Sequence, residues 1–242
     1  MALVDYGIDA PKEQHNYIWR GVTFLVLGFL MFVMNRQQYP GPAGAMFASL
    51  GLIGAAFLAI SIAWYAASKT GKIKLRDEII AGLGLKGDEK VLDVGCGRGL
   101  MLIGAAKKLS GKGKATGVDI WHPEDLSGNS AEATLANAKA EGVADKVKVE
   151  TADATSLPFA DSTFDVAVSS LCLHNIATLD GRAKAVSEIY RVLKSGGRLA
   201  IFDLFHASEY STRLRELGAS DVVEARQSVG VFPGKLISAK KP

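Results

Sequence analysis

Residues 17–67 read as two apolar runs with one polar break between them. Residues 21–34 (GVTFLVLGFLMFVM) hold no charge, and Thr23 is their only polar side chain. Extended back to Tyr17, the run is 18 residues long, enough to cross a bilayer if Arg20 reaches up to the headgroups. After the break at 35–42 (NRQQYPGP), residues 43–67 form a second uncharged run of 25. At about 1.5 Å per residue that exceeds the roughly 30 Å of a hydrocarbon core. The pattern predicts a tail at 1–16 and a transmembrane two-helix hairpin over 17–67. A cleaved signal peptide fits poorly, because the first run starts late and a second full span follows.

Three details point the same way. Tyr17 and Trp19 mark one end of the hairpin together with Trp64 and Tyr65, as an interfacial aromatic belt requires. Gly51, Ala55, Ala59, Ala63 and Ala67 recur every four residues, a stripe that lets a neighbouring helix, including one from a second copy, approach closely. Lys69, Lys72, Lys74 and Arg76 follow the second run, whereas the inter-run loop has only Arg36. The positive-inside rule then places both termini and the larger domain in the cytoplasm of a two-span membrane protein.

Past residue 76 the period changes. Strands are predicted at 90–94, 115–118, 147–150, 164–169, 198–202, 221–227 and 235–239. Helices are predicted from the first glycine turn to Leu109, and over 130–141, 179–193 and 208–217. Ser130 is a candidate N-cap and Gly142 a candidate stop. Residues 68–85 form a linker and leading helix, and 86–242 the main domain. Strands alternating with helices imply an α/β fold with a mainly parallel, doubly wound sheet. The last two strands imply an antiparallel hairpin at one edge. In such sheets a ligand sits beyond the carboxyl ends of the strands, at the switch point.

Charge and cysteine content remove several classes of function. Residues 1–68 hold three basic and three acidic groups, leaving 25 basic and 22 acidic in the rest. That excess is too small for a nucleic-acid partner. Cys96 and Cys172 lie far apart without CxxC spacing, so neither a metal site nor a disulfide framework is indicated.

The first strand runs into Asp93-Val94-Gly95-Cys96-Gly97-Arg98-Gly99. Glycines at 95, 97 and 99 bring bare backbone against a ligand, and the helix that follows aims free N–H groups at it. A dinucleotide fingerprint would need a third glycine at position 100, which is leucine. Asp93 would repel a pyrophosphate and favour a cationic amino group, such as that of S-adenosyl-L-methionine. Asp119 ends the second strand, where a carboxylate can accept from both ribose hydroxyls. Ile120 and Trp121 follow as candidates for packing on adenine, and Asp153 and Ala154 as partners for its amino edge. Cys96 reads as a small packing residue rather than a reactive thiol.

VLDVGCGRG, GVDI, TADATSLPFADSTFDVAVSS and EIYRVLKSGGRLAIFD, in that order, resemble the class I S-adenosylmethionine-dependent methyltransferases. They are most similar to the group that includes ubiquinone/menaquinone C-methyltransferases and small-molecule or lipid methyltransferases. The likeness spans residues 86–205 well and 206–242 only by pattern. It implies a seven-stranded Rossmann-like sheet and the cofactor roles just given for Asp93, Gly95, Gly97, Asp119 and Asp153; Cys96, Gly99, Ile120, Ala154 and Ser169 are further candidate contacts. The fourth strand ends Ser169-Ser170-Leu171-Cys172-Leu173-His174-Asn175, without the Asn/Asp-Pro-Pro-aromatic motif typical of base-methylating relatives, so nucleic acid is disfavoured as substrate. His174 is the candidate general base, with a capping or packing histidine as the alternative. Asp203, His206 and Tyr210 are candidates for the same pocket.

No sizeable insertion follows Asp203 to roof that pocket. The candidate roofs are the helix around residues 76–83, the membrane surface or a partner. The expected acceptor is a small hydrophobic or lipid-like molecule at the bilayer. A soluble small molecule or protein, or a cofactor-binding assembly factor without turnover, is the alternative.

Overall fold

The computed structural model describes residues 4–38 and 40–242. Two antiparallel helices lead the chain, α1 (Pro11–Asn35) and α2 (Pro40–Ala66). They meet through glycines. A side-chain carbon on Gly54 would lie 2.8 Å from the Gly21 carbonyl oxygen, and one on Gly21 would lie 2.7 Å from Leu58. Between the helices Phe24 stacks on Phe57 at 5.7 Å between ring centres. Both helices are long and apolar enough to cross a membrane, and only 11% of each apolar window is buried. Val26, Phe29, Leu30, Leu52 and Ile62 face outward.

The hairpin departs from the sequence reading in three respects. Prolines open both helices, where a fixed φ and a missing N–H do no harm, so each starts earlier than predicted. The stripe of small residues does not face α1: Gly51 has nothing within 4 Å of a built Cβ, and Ala55 and Ala59 are exposed. Residues 68–85 hold the expected leading helix, with no loop ahead of it. α2 passes through a π-helical turn (Ala67–Gly71) directly into α3 (Lys72–Leu83), which ends on Gly84 in the left-handed region. Gly71 lies against Gly230 in the turn before the last strand, so bare backbone lets the helix and that turn touch.

The sheet holds seven strands in the order β3-β2-β1-β4-β5-β7-β6. They are β1 (Lys90–Val94), β2 (Lys114–Asp119), β3 (Val147–Thr151), β4 (Phe164–Ser170), β5 (Leu193–Asp203), β6 (Ser220–Val229) and β7 (Phe232–Lys240). The first five pair in parallel, and β7 enters antiparallel between β5 and β6. Each predicted strand is present; β5 starts earlier than expected because Leu193 pairs with Phe164 across a bulge. Four further helices follow as α4 (Leu100–Ala106), α5 (Ala131–Ala140), α6 (Leu179–Val192) and α7 (Ala207–Glu216).

Two apolar layers enclose the sheet. One joins Leu75, Ile79 and Leu83 of α3 to Leu102 and Ile103 of α4. The other joins Val186 and Ile189 of α6 to Tyr210 and Leu214 of α7. The strand order reverses between β1 and β4, so the switch point lies beyond Val94 and Ser170.

Because Gly54 meets Gly21 backbone to side-chain position, G54V should force the helices apart. The expected destabilisation is about 1–3 kcal/mol, the usual cost of overpacking, read as a lower midpoint in thermal unfolding of the purified protein.

Candidate functional site

A cavity of about 390 Å³ opens at the switch point. That is within the range of roughly 300–1,000 Å³ typical of small-molecule sites. The glycine loop forms its floor. A side-chain carbon on Gly95 (φ +72°) would overlap Cys172 Sγ, so only glycine lets these two loops meet. Gly95 and Cys96 donate their N–H groups to the Val118 carbonyl, which fixes the loop on β2.

Asp93 is the central electrostatic feature. It is buried at the end of β1, and Oδ2 accepts from the Leu102 N–H at 2.7 Å. Its Oδ1 is buried and has no hydrogen-bond partner among the described residues. Burial pushes the carboxyl up to about 8, partly countered by the Leu102 hydrogen bond and assisted by the nearby charge of Asp119. A buried carboxylate oxygen without a donor is costly, and a cationic donor in the cavity would complete it.

Asp119 joins the loops around the cavity. Oδ2 accepts from the Gly97 N–H at 2.8 Å, while Oδ1 accepts from the Trp121 N–H at 2.6 Å and the Asn129 amide at 3.2 Å. Ile120 beside it is 59% exposed, an apolar surface on offer at the cavity rim. Asp153 Oδ1 accepts from the Thr155 N–H, and Ala154 follows it on the wall.

Of the ten cofactor contacts and the candidate base named from sequence, eight line the cavity: Asp93, Gly95, Cys96, Gly97, Asp119, Ile120, Asp153 and Ala154. Ser169, Gly99 and His174 do not. Ser169 Oγ donates to the Val94 carbonyl at 2.8 Å and so joins β4 to β1, while its neighbour Ser170 faces the cavity. Gly99 (φ +86°) caps α4, and a side-chain carbon there would meet Thr134 and Ile103. Trp121 is also turned away: its indole donates to Thr151 Oγ1 and its ring packs on the core. Burial pushes the Cys96 and Cys172 thiols up, which makes them poor nucleophiles and suits packing roles.

His174 lies behind the wall in a short 3₁₀ turn (Leu173–Asn175). Its Nδ1 pairs with Asp203 Oδ1, and its backbone N–H donates to Asp203 Oδ2 at 3.1 Å. Asp203 is itself buried and accepts from the Tyr210 hydroxyl. Asp203 and Tyr210 are thus supports for His174 rather than pocket walls. His206 pairs with Glu209 at the start of α7. Burial disfavours the charged form of His174, but the bond and charge of Asp203, aided by Asp125 and Asp9, outweigh it and raise the pKa.

Three wall residues come from ahead of the first strand, where no motif lies: Tyr6, Asp9 and Lys72. The predicted tail is not free. Asp9 bridges to Leu126, Ile8 exchanges bonds with Ser127, and the Ala10 N–H donates to the Asp125 carbonyl. Residues 76–83, proposed above as roof, pack beneath the sheet instead, because Leu75, Ile79 and Ile80 are apolar on one face.

Residues 92–201 match the family model for a methyltransferase domain. The strand order and the acidic glycine loop agree with that match. The fold is that of a class I methyltransferase. Over 125 residues the chain is 38% identical to a sterol 4-C-methyltransferase of Caenorhabditis elegans, covering 52% of this chain and 34% of that protein. Over 130 residues it is 36% identical to a demethylmenaquinone methyltransferase of Lactiplantibacillus plantarum, covering 53% and 50%. The chain therefore spans half or less of these relatives' length. The crystal structure of an S-adenosylmethionine-dependent methyltransferase from Aquifex aeolicus superposes with a TM-score of 0.54 at 22% identity, covering 68% of this chain and 88% of that one. The apolar hairpin lies outside the matched domain.

Since folding raises the His174 pKa, His174 stabilises the fold fully below its unfolded value of about 6.5, and that stabilisation is lost as pH rises through the folded value. The gap in thermal stability between the wild-type protein and H174Q should therefore be widest in mild acid and narrow in alkali.

Proposed function

We propose that this protein binds S-adenosyl-L-methionine in the switch-point cavity and methylates a small hydrophobic or lipid-like acceptor at a membrane. The unpartnered Oδ1 of Asp93 carries the cofactor half of the reading. A methionine ammonium is the donor it requires. Asp119 would hold the ribose, since its two oxygens accept three bonds and retain lone-pair capacity. Ile120 would lie on the adenine, with Asp153 and Ala154 at its edge. The cavity walls carry Asp9, Asp93, Asp119, Asp125 and Asp153 against Lys72 and Arg98, a balance that favours a net cation.

Bound there, the cofactor supplies an electrophilic methyl group on a sulfonium. The chain's part is alignment and water exclusion, and positioning of this kind can contribute about 7–11 kcal/mol. For an acceptor that loses a proton, the His174 ring, held at Nδ1 by Asp203, leaves Nε2 to receive it. Its ring meets the exposed Phe205 at 6.0 Å, an apolar approach to that atom.

The acceptor class follows from the hairpin. Two mostly unburied apolar helices of spanning length suit lipid better than water. Their aromatic end adjoins the cavity: Tyr17 contacts Trp64, and the Trp64 indole donates to the carbonyl of Asp9, a wall residue. A cavity beside the membrane interface fits a membrane-dissolved acceptor. The relatives named for a sterol and a demethylmenaquinone agree in chemical character. A hairpin that spans the bilayer would place the N-terminal segment and the catalytic domain on one side, read as cytoplasmic. Lys72 and Arg76 are buried within the protein and Lys69 pairs with Asp5, so Lys74 is left to face the headgroups. The outward stripe of Gly51, Ala55 and Ala59 is the face offered to a second copy.

Two measurements test this reading. Calorimetry with S-adenosylhomocysteine should show binding that strengthens from pH 6 to 8, by up to about tenfold per unit, because the ligand ammonium requires Asp93 ionised and displaces its proton. D93N should bind roughly tenfold or more weakly and lose that dependence. Membranes given methyl-labelled cofactor should place the label in the organic extract; label confined to soluble metabolites or protein would reject the lipid-like acceptor.

A further inference from the structure

We propose that the segment of residues 5–9, which precedes the hairpin, is a working part of the cofactor site, and that Lys72 is the positioning residue that holds it there. The proposal rests on the cofactor reading above and assigns a site element that no sequence motif marks.

The segment crosses the cavity and engages both lysine and arginine side chains that line it. Lys72 is 3% exposed, and its Nζ donates to the Tyr6 carbonyl at 2.8 Å, the Gly7 carbonyl at 3.1 Å and the Asp9 carboxylate at 3.2 Å. Arg98 pairs with Asp5 at 3.3 Å and donates to the Ser127 carbonyl, while its Nε is buried without a partner. Tyr6 is buried, with its hydroxyl donating to Glu141 and its ring near the Arg76 guanidinium. Tyr6 and Asp9 both present atoms to the cavity.

A buried ammonium needs nearly all its donors satisfied, because a lost partner leaves a desolvated charge. Lys72 and the segment therefore hold one another in place. The lysine follows the π-helical turn that ends the second apolar helix, so the wall is set from the membrane side of the protein. The segment brings Asp9 to a cavity that takes a cation, and it aligns Arg98, whose unpartnered Nε suits the ligand's carboxylate. Cofactor and segment should then order one another, since a ligand that binds the closed wall stabilises it by linkage.

The test uses the full chain in detergent or lipid discs, with S-adenosylhomocysteine as probe. Ligand should slow hydrogen exchange of the backbone amides at residues 5–10. K72M and D9N should each weaken binding by roughly tenfold or more while retaining the parent's circular dichroism. K72R, which keeps a cation with several donors, should recover part of the loss. If K72M fails to fold, D9N and the exchange measurement decide alone. Unchanged affinity in D9N with no protection at residues 5–10 would overturn the proposal while wild-type binding left the cofactor reading intact. Failure of the wild-type protein to bind would instead reject the cofactor reading, and this proposal with it.

Discussion

One helical path without a break, from Pro40 to Leu83, governs how the rest of this molecule is arranged. Its first part is apolar on all sides and its last part is apolar only where it meets the sheet. The π-helical turn between them takes up the change of facing without a loop. Leu75, Ile79 and Leu83 fix α3 in the core, so the hairpin joins the sheet layer through helix alone. Arg76 reinforces this, because its aliphatic stem occupies the space left by Gly104 on α4. The hairpin and the seven-stranded fold are thereby joined without a loop.

That junction explains why the chain before α1 can serve a site formed mostly by residues after β1. An antiparallel hairpin returns the chain to its starting level, so residues 5–9 and 68–72 meet. The Asp9 N–H donates to the Ser68 hydroxyl at 3.2 Å, and its carbonyl accepts from the Trp64 indole. Phe232 at the start of β7 closes on the same tryptophan at 5.6 Å. Three separate stretches of chain therefore converge beside the cavity wall.

The parts legible in the sequence were those with a local signal. Alternating strands, the Asp93–Gly97 loop and the carboxylates at 119 and 153 each carry their chemistry within a few residues, and each reached the cavity. Ser169 failed because adjacent residues in a strand face opposite sides, and the motif alone does not say which of Ser169 and Ser170 points outward. His174 was legible as unusual but not as set outside the cavity wall, since its partner Asp203 lies a strand away. Tyr6 and Asp9 had no signal at all. A Gly-Ile-Asp sequence ahead of an apolar helix reads as tail, and only the return of the hairpin gives it a surface to cross. The positive cluster after the second run carried a partial signal: Lys72 and Arg76 are cations by composition but structural members by position.

The concentration of carboxylates at the cavity raises the question of how the fold tolerates it. Asp119 and Asp153 are held by backbone N–H groups. Asp93 has one such bond and full burial, so it meets the repulsion by holding its proton up to about pH 8. Protonated, it removes one negative charge beside Asp119; ionised, it demands a cation at Oδ1. The same carboxyl thus relieves the fold of a charge and selects a ligand able to replace the proton. A neutral or anionic nucleotide could not make that exchange. The geometry of β1, which buries Asp93 and leaves one oxygen unpartnered, is in this sense the discrimination itself.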